Sequence, residues 1–394
     1  LHHMKLQAKH TVYSCYLGYV TQAIVNNLPP LLFLTFNREF GVSLDKISLL
    51  ITVNFCIQIL VDFLSPGVIK RTGYRKAALC SFLVTIIGLT GFYCLPFLLD
   101  PYMGILISMV FNAIGGGILE VIVSPIVEAC PGTNKAARMS MLHSFYCWGH
   151  MAVVLLSTLY FTLAGIENWR LLPPLWALVP LFTLFAFTKV PIYAIPGDDE
   201  ETRLPKSIFR IKVFWILFFV MICAGASEQG VSQWSSMFAE DGLKVSKTIG
   251  DLLGPCSFAF FMGLSRFLYG MKGENLKLIP SLKATSLLCI LGYLVTSLSP
   301  IPLLSLAGCA ICGFSVGLMW PGTFSLGAAY LRGGGTFMYA MFALAGDIGC
   351  SAGPGVVGII SQFTGKMNLG ILTAILFPLG MLILVSLLKR QKPA

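Results

Sequence analysis

Charge is scarce in this chain. Of its 394 residues only 11% are Asp, Glu, Lys or Arg, against 56% hydrophobic. With a mean hydropathy of +0.81, that much apolar surface does not fit inside soluble domains, and lipid is the expected solvent for most of it. A phosphate-cradling Gly-x-x-x-x-Gly-Lys-Ser/Thr loop is also lacking, as is a polar stretch large enough for a nucleotide-binding domain, so ATP hydrolysis is excluded as the energy source. The twelve cysteines show neither metal-ligand spacing nor a framework of loop positions. They lie in apolar runs such as Phe55-Cys56-Ile57 and Leu288-Cys289-Ile290 and are expected to be free, buried thiols. No metal, cofactor or catalytic constellation is expected, and the chain does not read as an enzyme. Leu1, His2 and His3 precede Met4 and are set aside as a tag remnant, with no cleavable leader expected after them.

What is abundant is long apolar sequence. A helix needs about 20 apolar residues to cross about 30 Å of hydrocarbon, and twelve such runs are present, at 12–34, 47–69, 77–98, 103–127, 139–163, 171–188, 213–237, 249–271, 278–298, 302–330, 336–361 and 369–388. The fold class read from them is an all-α membrane protein of twelve transmembrane helices in two pseudo-symmetric six-helix bundles. Only one connection is long. It holds the acidic run Asp198-Asp199-Glu200-Glu201 and then Arg203, Lys206 and Arg210. The expected organisation is therefore a first half over 1–189, a cytoplasmic linker over 190–211 and a second half over 212–394.

Basic residues near helix ends stay on the cytoplasmic side. With both termini inside, the inner segments carry Lys5, Lys9, Lys70, Arg71, Arg75, Lys76, Lys135, Arg138, Lys272, Lys277, Arg332, Lys389, Arg390 and Lys392. The outer ones carry Arg38, Lys46, Arg170, Lys244, Lys247 and Lys366. This bias accounts for the net charge of +10 by attraction to anionic inner-leaflet lipid, without nucleic acid as a partner. The expected setting is the cytoplasmic (inner) membrane, with the protein a monomer.

Several segments point to one family. Pro66-Gly67-Val68-Ile69-Lys70-Arg71-Thr72-Gly73-Tyr74-Arg75-Lys76 resembles the loop Gly-x-x-x-Asp-Arg-x-Gly-Arg-Arg of the major facilitator superfamily, with Lys70 where the acid usually stands. Val25-Asn26-Asn27-Leu28-Pro29-Pro30, Gly115-Gly116-Gly117-Ile118-Leu119-Glu120 with Ser124-Pro125, and Leu142-His143-Ser144-Phe145-Tyr146 are similar to segments of its fucose-permease branch. Trp320-Pro321, Gly333-Gly334-Gly335-Thr336, Gly346-Asp347-Ile348-Gly349 and Gly353-Pro354 add to the likeness. The resemblance implies two six-helix halves around a midplane site, sugar uptake with protons, and a protonation role for Glu120. The second acid that the branch uses in its first span aligns with Pro30 here, which leaves a uniporter open.

Polar groups inside the spans carry the chemistry, because an ionisable side chain in hydrocarbon costs at least about 2.5 kcal/mol and faces a cavity or a partner. Glu128 lies close in sequence to Lys135 and Arg138, as in a structural ion pair. Asp62 closes an i, i+4, i+8 stripe with Asn54 and Gln58, which suits either helix-helix bonding or a gate. Glu120 sits behind three glycines with no basic residue near it in sequence, and reads as either a proton carrier or a permanently protonated packing residue. Asp347, flanked by glycines, is a further candidate for proton coupling.

Polyols want neutral hydrogen-bonding groups and aromatic faces. Candidate solute ligands are Gln22 and Asn26 one turn apart with Asn27 beside them, then Glu228, Gln229, Gln233 and Trp234 on span seven. His143 shares a face with Tyr146 and His150, and Trp320 precedes Pro321. Such amides also staple helices together. The readings are a sugar carrier with proton symport, a uniporter, an exporter of amphipathic compounds with a more apolar cavity, and a receptor or scaffold that has lost transport.

Overall fold

In hydrocarbon no water satisfies backbone N–H and C=O groups, so a spanning segment must pair them within itself. The fold follows from this. A computed structural model describes residues 6–132, 135–194, 206–272, 277–331 and 335–388, and contains helices but no strand among them. In chain order these are α1 (Ala8–Asn27), α2 (Phe33–Phe40), α3 (Leu44–Thr72), α4 (Tyr74–Leu98), α5 (Pro101–Ala129), α6 (Lys135–Ala164), α7 (Leu172–Trp176), α8 (Leu178–Lys189), α9 (Lys212–Ser232), α10 (Ser235–Met237), α11 (Lys247–Asp251), α12 (Ser257–Lys272), α13 (Leu278–Leu298), α14 (Pro302–Val316), α15 (Met319–Tyr330), α16 (Gly335–Thr364), α17 (Met367–Thr373) and α18 (Leu376–Leu388).

Among the described residues, eleven continuous or nearly continuous helical stretches are long and apolar enough to cross a membrane, from Leu44–Ser65 to Met367–Leu388. The remaining passage begins with α1, whose hydropathy is lowered by buried Thr11, Ser14, Thr21, Gln22, Asn26 and Asn27. Together they make a twelve-helix membrane protein. The run at 12–34 is not one helix. Proline removes a backbone donor; α1 accordingly stops at Asn27, a single 3-10 turn spans Pro29–Leu32, and α2 restarts at Phe33. Span seven likewise ends in a π-helical turn at Phe238–Gly242.

The chain divides into two compact units, Leu1–Pro29 with Ile57–Thr202 and Pro30–Cys56 with Arg203–Ala394. In the first, α1 packs against α5, α6 and α8, and α4 lies along α5. Its core is apolar, with Phe82, Leu119, Ile122, Val123, Leu142 and Phe187 all inaccessible to solvent. The acidic run at 198–201 falls outside the described residues, as do Lys5, Arg203, Arg332, Gly333, Gly334, Lys389, Arg390 and Lys392.

In the second unit α9 and α16 make the closest pair. A Cβ on Gly349 would meet the Ile222 carbonyl, and one on Gly353 the Ala226 carbonyl, so only glycine lets the two backbones touch. The segment 30–56 is tied in by side chains: Arg38 to Glu240 at 3.0 Å, Lys247 Nζ to the Leu31 carbonyl at 2.8 Å, and the Leu44 amide to Gln362 Oε1 at 3.1 Å. Lys247 is not a loop charge. It pairs at 2.9 Å with Asp251, which is 1% exposed, and Ser236 donates to the same carboxylate at 2.6 Å.

Two expectations need correction. Of the two bases near Glu128, Arg138 turns elsewhere, its guanidinium donating to the carbonyls of Cys130 and Pro131 at 3.1 and 3.2 Å, where α5 has just ended and carbonyls lack helical partners; the side chain of Lys135 lies outside the described residues. The thiols form no disulfide among the described residues, but Cys56, Cys80 and Cys94 are exposed rather than buried. Cys80 and Cys94 stand on α4 with Leu83, Ile87, Tyr93 and Phe97, which are exposed too, and in a membrane such a face is solvated by lipid, where a thiol costs little.

Overpacking at a backbone contact typically costs about 1–3 kcal/mol. Gly349→Val is therefore expected to lower the thermal unfolding midpoint of the detergent-solubilised protein. An unchanged midpoint would mean that α9 and α16 are not in backbone contact.

Candidate solute and ion site

Each unit contains a buried polar cluster, and each is described by itself. In the first unit, α1 presents Gln22 and Asn26 on one side because residues one turn apart share a face, with Asn27 beside them. Gln22 Nε2 donates to Gln58 Oε1 at 3.0 Å, and Gln58 Nε2 donates to Asn26 Oδ1 at 2.8 Å. Asn26 and Asn27 both donate to the Tyr146 hydroxyl, at 3.3 and 3.2 Å. The result is a single chain of amides from α1 through α3 to α6. Gln22, Asn26, Asn27 and Gln58 are all buried, so each unmade bond would carry a desolvation cost of about 1–3 kcal/mol.

One turn beyond Gln58 on α3 stands Asp62, and facing it on α5 stands Glu120. Their carboxylate oxygens lie within 4.8 Å of each other. Tyr19, one turn before Gln22, and Ser124, one turn after Glu120, share a hydrogen bond at 3.1 Å. His143, by contrast, is exposed and lies against the Tyr19 ring at 5.6 Å between centroids. The structure puts the Tyr146 hydroxyl into the amide chain.

In the second unit, Glu228 on α9 pairs with Arg266 on α12 at 3.1 Å. Gln229 Nε2 donates to Glu228 Oε2 at 3.2 Å, and Gln233 Nε2 donates to Gln229 Oε1 at 2.9 Å. Arg266 Nε also donates to the Gly317 carbonyl at 3.4 Å, where α14 gives way to α15. Asp347 on α16 is 3% exposed. Trp320 on α15 lies against Gly346, the residue before Asp347, in the space a Cβ would take. Trp234 is buried: its indole donates to the Pro354 carbonyl at 3.0 Å and its ring leans on Phe33.

The residues that sequence reading passes over are Gln58, Tyr146 and Arg266. Gln58 and Tyr146 are visible on polar faces but not as the joints of one chain. Arg266 carries the plainest signal, a lone cation in the apolar run Phe260–Tyr269, which in a membrane implies a buried acid as partner.

What this arrangement does chemically is hold polar groups inside apolar helices. The fold, with buried polar clusters carried on long apolar helices, is that of a membrane carrier for a small solute. The chain belongs to the major facilitator superfamily, whose family model matches residues 15–354. Solved structures with the same fold include the E. coli fucose:proton symporter FucP, with TM-score 0.68 and 15% identity over 97% of this chain and 98% of that one. A bacterial homologue of the human lysosomal transporter Spinster aligns with TM-score 0.77 and 15% identity over 98% of this chain and 99% of that one. The proton:xylose symporter XylE aligns with TM-score 0.74 and 12% identity over 97% and 95%. Comparison with curated protein sequences finds no match.

Removing one partner of a buried ion pair leaves an uncompensated charge at a cost of about 3–5 kcal/mol. Arg266→Met is thus expected to destabilise the protein strongly, and Glu228→Leu added to it to restore much of the loss, as read by thermal unfolding in detergent. Equal stability of Arg266→Met and wild type would show that the pair does not form.

Proposed function

We propose that the protein takes up a small neutral polar solute of monosaccharide type across the cytoplasmic (inner) membrane together with protons. The observation that carries this reading is the amide chain Gln22–Gln58–Asn26–Tyr146, next to the carboxylates of Asp62 and Glu120. Amides and a phenol suit hydroxyl groups, which need donors and acceptors together. The adjacent carboxylates suit a proton that is taken up and released. Two of the structural relatives are sugar symporters that use protons, which supports the same reading by likeness.

In this reading Gln22, Asn26, Asn27 and His143 from the first half, with Glu228, Gln229, Gln233, Trp234 and Trp320 from the second, supply the solute contacts. Glu120 carries the proton, with Asp62 and Asp347 assisting. The halves 1–189 and 212–394 rock about a midplane site, joined by the linker 190–211, with both termini in the cytoplasm, anionic lipid on that side and one chain as the working unit. Export of amphipathic compounds suits a more apolar lining than these amides give. A uniporter differs only in the proton.

Glu120→Gln keeps shape and hydrogen bonding while removing the charge. The expected result in proteoliposomes is retained solute counterflow with loss of proton-driven accumulation, tested on a panel of labelled monosaccharides. Full accumulation by this variant would leave Glu120 as a packing residue. Gln229→Ala and Gln233→Ala are each expected to weaken solute binding about tenfold, the equivalent of one lost buried hydrogen bond. Loss of stability at unchanged affinity would assign both amides to packing.

A further inference from the structure

The second unit holds a cavity of about 600 Å³, a volume in the range of small-molecule sites, about 300–1,000 Å³. Its walls come from the ends of five apolar passages, Lys212–Gly242, Leu278–Leu298, Pro302–Gly327, Met341–Thr364 and Met367–Leu388. It therefore lies where hydrocarbon gives way to headgroups. None of its lining residues belongs to the solute or proton groups of the proposed function.

The charged side chains that line it are Asp241, Lys244 and Lys366. Lys244 meets Asp241 at 3.6 Å, an exposed pair of little strength, and Lys366 has no acid within 4.0 Å among the described residues. Two ammonium groups against one carboxylate leave one positive charge, which a single phosphodiester cancels. Lys244 also holds a left-handed backbone, with φ of 57°, where glycine would sit without strain. A lysine there keeps an ammonium group at the cavity. Ser297, Ser299 and Ser305 line the wall as well, and each hydroxyl already donates to a backbone carbonyl, of Tyr293, Ile301 and Ser299 in turn. Their oxygens still accept, which suits a ligand with donors of its own. The same stretch of chain sorts its side chains by polarity: between these serines Leu298, Ile301 and Leu303 are exposed, and Phe363 nearby in sequence to Lys366 is 88% exposed. In a membrane, exposed apolar side chains lie against acyl chains.

We infer that this cavity binds the headgroup of an anionic phospholipid that carries hydroxyl donors, of the phosphatidylglycerol type. Lys244 and Lys366 take the phosphodiester, since ammonium groups donate charge-assisted hydrogen bonds to phosphate oxygens. The glycerol hydroxyls of the headgroup donate to the serine oxygens and to Asp241. The acyl chains run along Leu298, Ile301, Leu303 and Phe363. A choline headgroup brings a second positive charge and no donor, and so fits neither the charge of the cavity nor its acceptors.

The test uses the purified full chain in detergent, with dioctanoylphosphatidylglycerol, dioctanoylphosphatidylcholine and glycerol phosphate as probes. The phosphatidylglycerol is expected to raise the unfolding midpoint in a saturable way, and the phosphatidylcholine at equal concentration to give no such rise. Native mass spectrometry of the wild type should show phosphatidylglycerol retained in preference to phosphatidylcholine, a measurement that depends on no variant. Both lysines are exposed, so their substitution is expected to leave the fold intact. Lys244→Gln and Lys366→Gln should each weaken the apparent lipid affinity about tenfold, whereas Lys366→Arg should retain it. Lys70→Gln, at an exposed lysine of the first unit, should leave it unchanged. Equal effects of the two lipids on the wild type, or undiminished affinity when both cavity lysines are replaced by glutamine, would overturn the site. An equal rise with glycerol phosphate would overturn the lipid as occupant and assign the cavity to a soluble phosphate ester.

Discussion

The constraint on which this structure depends is the cost of leaving a polar group unpaired in hydrocarbon. It forces every passage into helix, because only a helix pairs its own backbone. It then acts on the side chains. The Lys247–Asp251 pair, the Glu228–Arg266 pair and the run of amides from Gln22 to Tyr146 are three answers to the same cost. In the first two, opposite charges meet inside the protein. In the third, neutral groups pass a donor from one to the next until a tyrosine hydroxyl ends the series. Under the proposed function, a solute with several hydroxyl groups would meet here partners that already sit at hydrogen-bonding distance from one another, so binding would exchange one set of bonds for another.

How much of this is legible in the sequence differs from residue to residue for physical reasons. The twelve passages can be read because bilayer thickness fixes a run length that composition alone reveals. Gln22 with Asn26, and Gln229 with Gln233, can be read because a helix repeats every 3.6 residues. The Gln58 joint cannot, since its two partners lie on another helix, 36 and 32 residues away. Lys247 looks like a boundary charge between spans; its partner Asp251 one turn on is the available signal. The break at Pro29 is hidden by apolar neighbours that keep hydropathy high straight through it. Arg138 misleads because proximity in sequence suggests an acid, whereas the end of α5 offers carbonyls nearer by.

The two units echo each other in sequence. Gln22 and Asn26 on α1 correspond in spacing to Gln229 and Gln233 at the end of α9, and Asp62-Phe63-Leu64 on α3 to Arg266-Phe267-Leu268 on α12. The echo reverses one charge. In the second unit Arg266 compensates Glu228 internally. In the first unit the corresponding position is itself an acid, and two carboxylates face each other.

The glycines at 349 and 353 bring the carbonyls of Ile222 and Ala226 on α9 directly against α16. Two helices joined backbone to backbone have no side chains between them to change rotamer, and so have no cheap way to slide or roll. Asp347 rides on one of them, and Glu228, Gln229 and Gln233 on the other. The backbone positions that carry these four side chains are therefore points on a single rod, whose mutual spacings the helix contact sets. A ligand that shifts the backbone at one of them would carry the other three along.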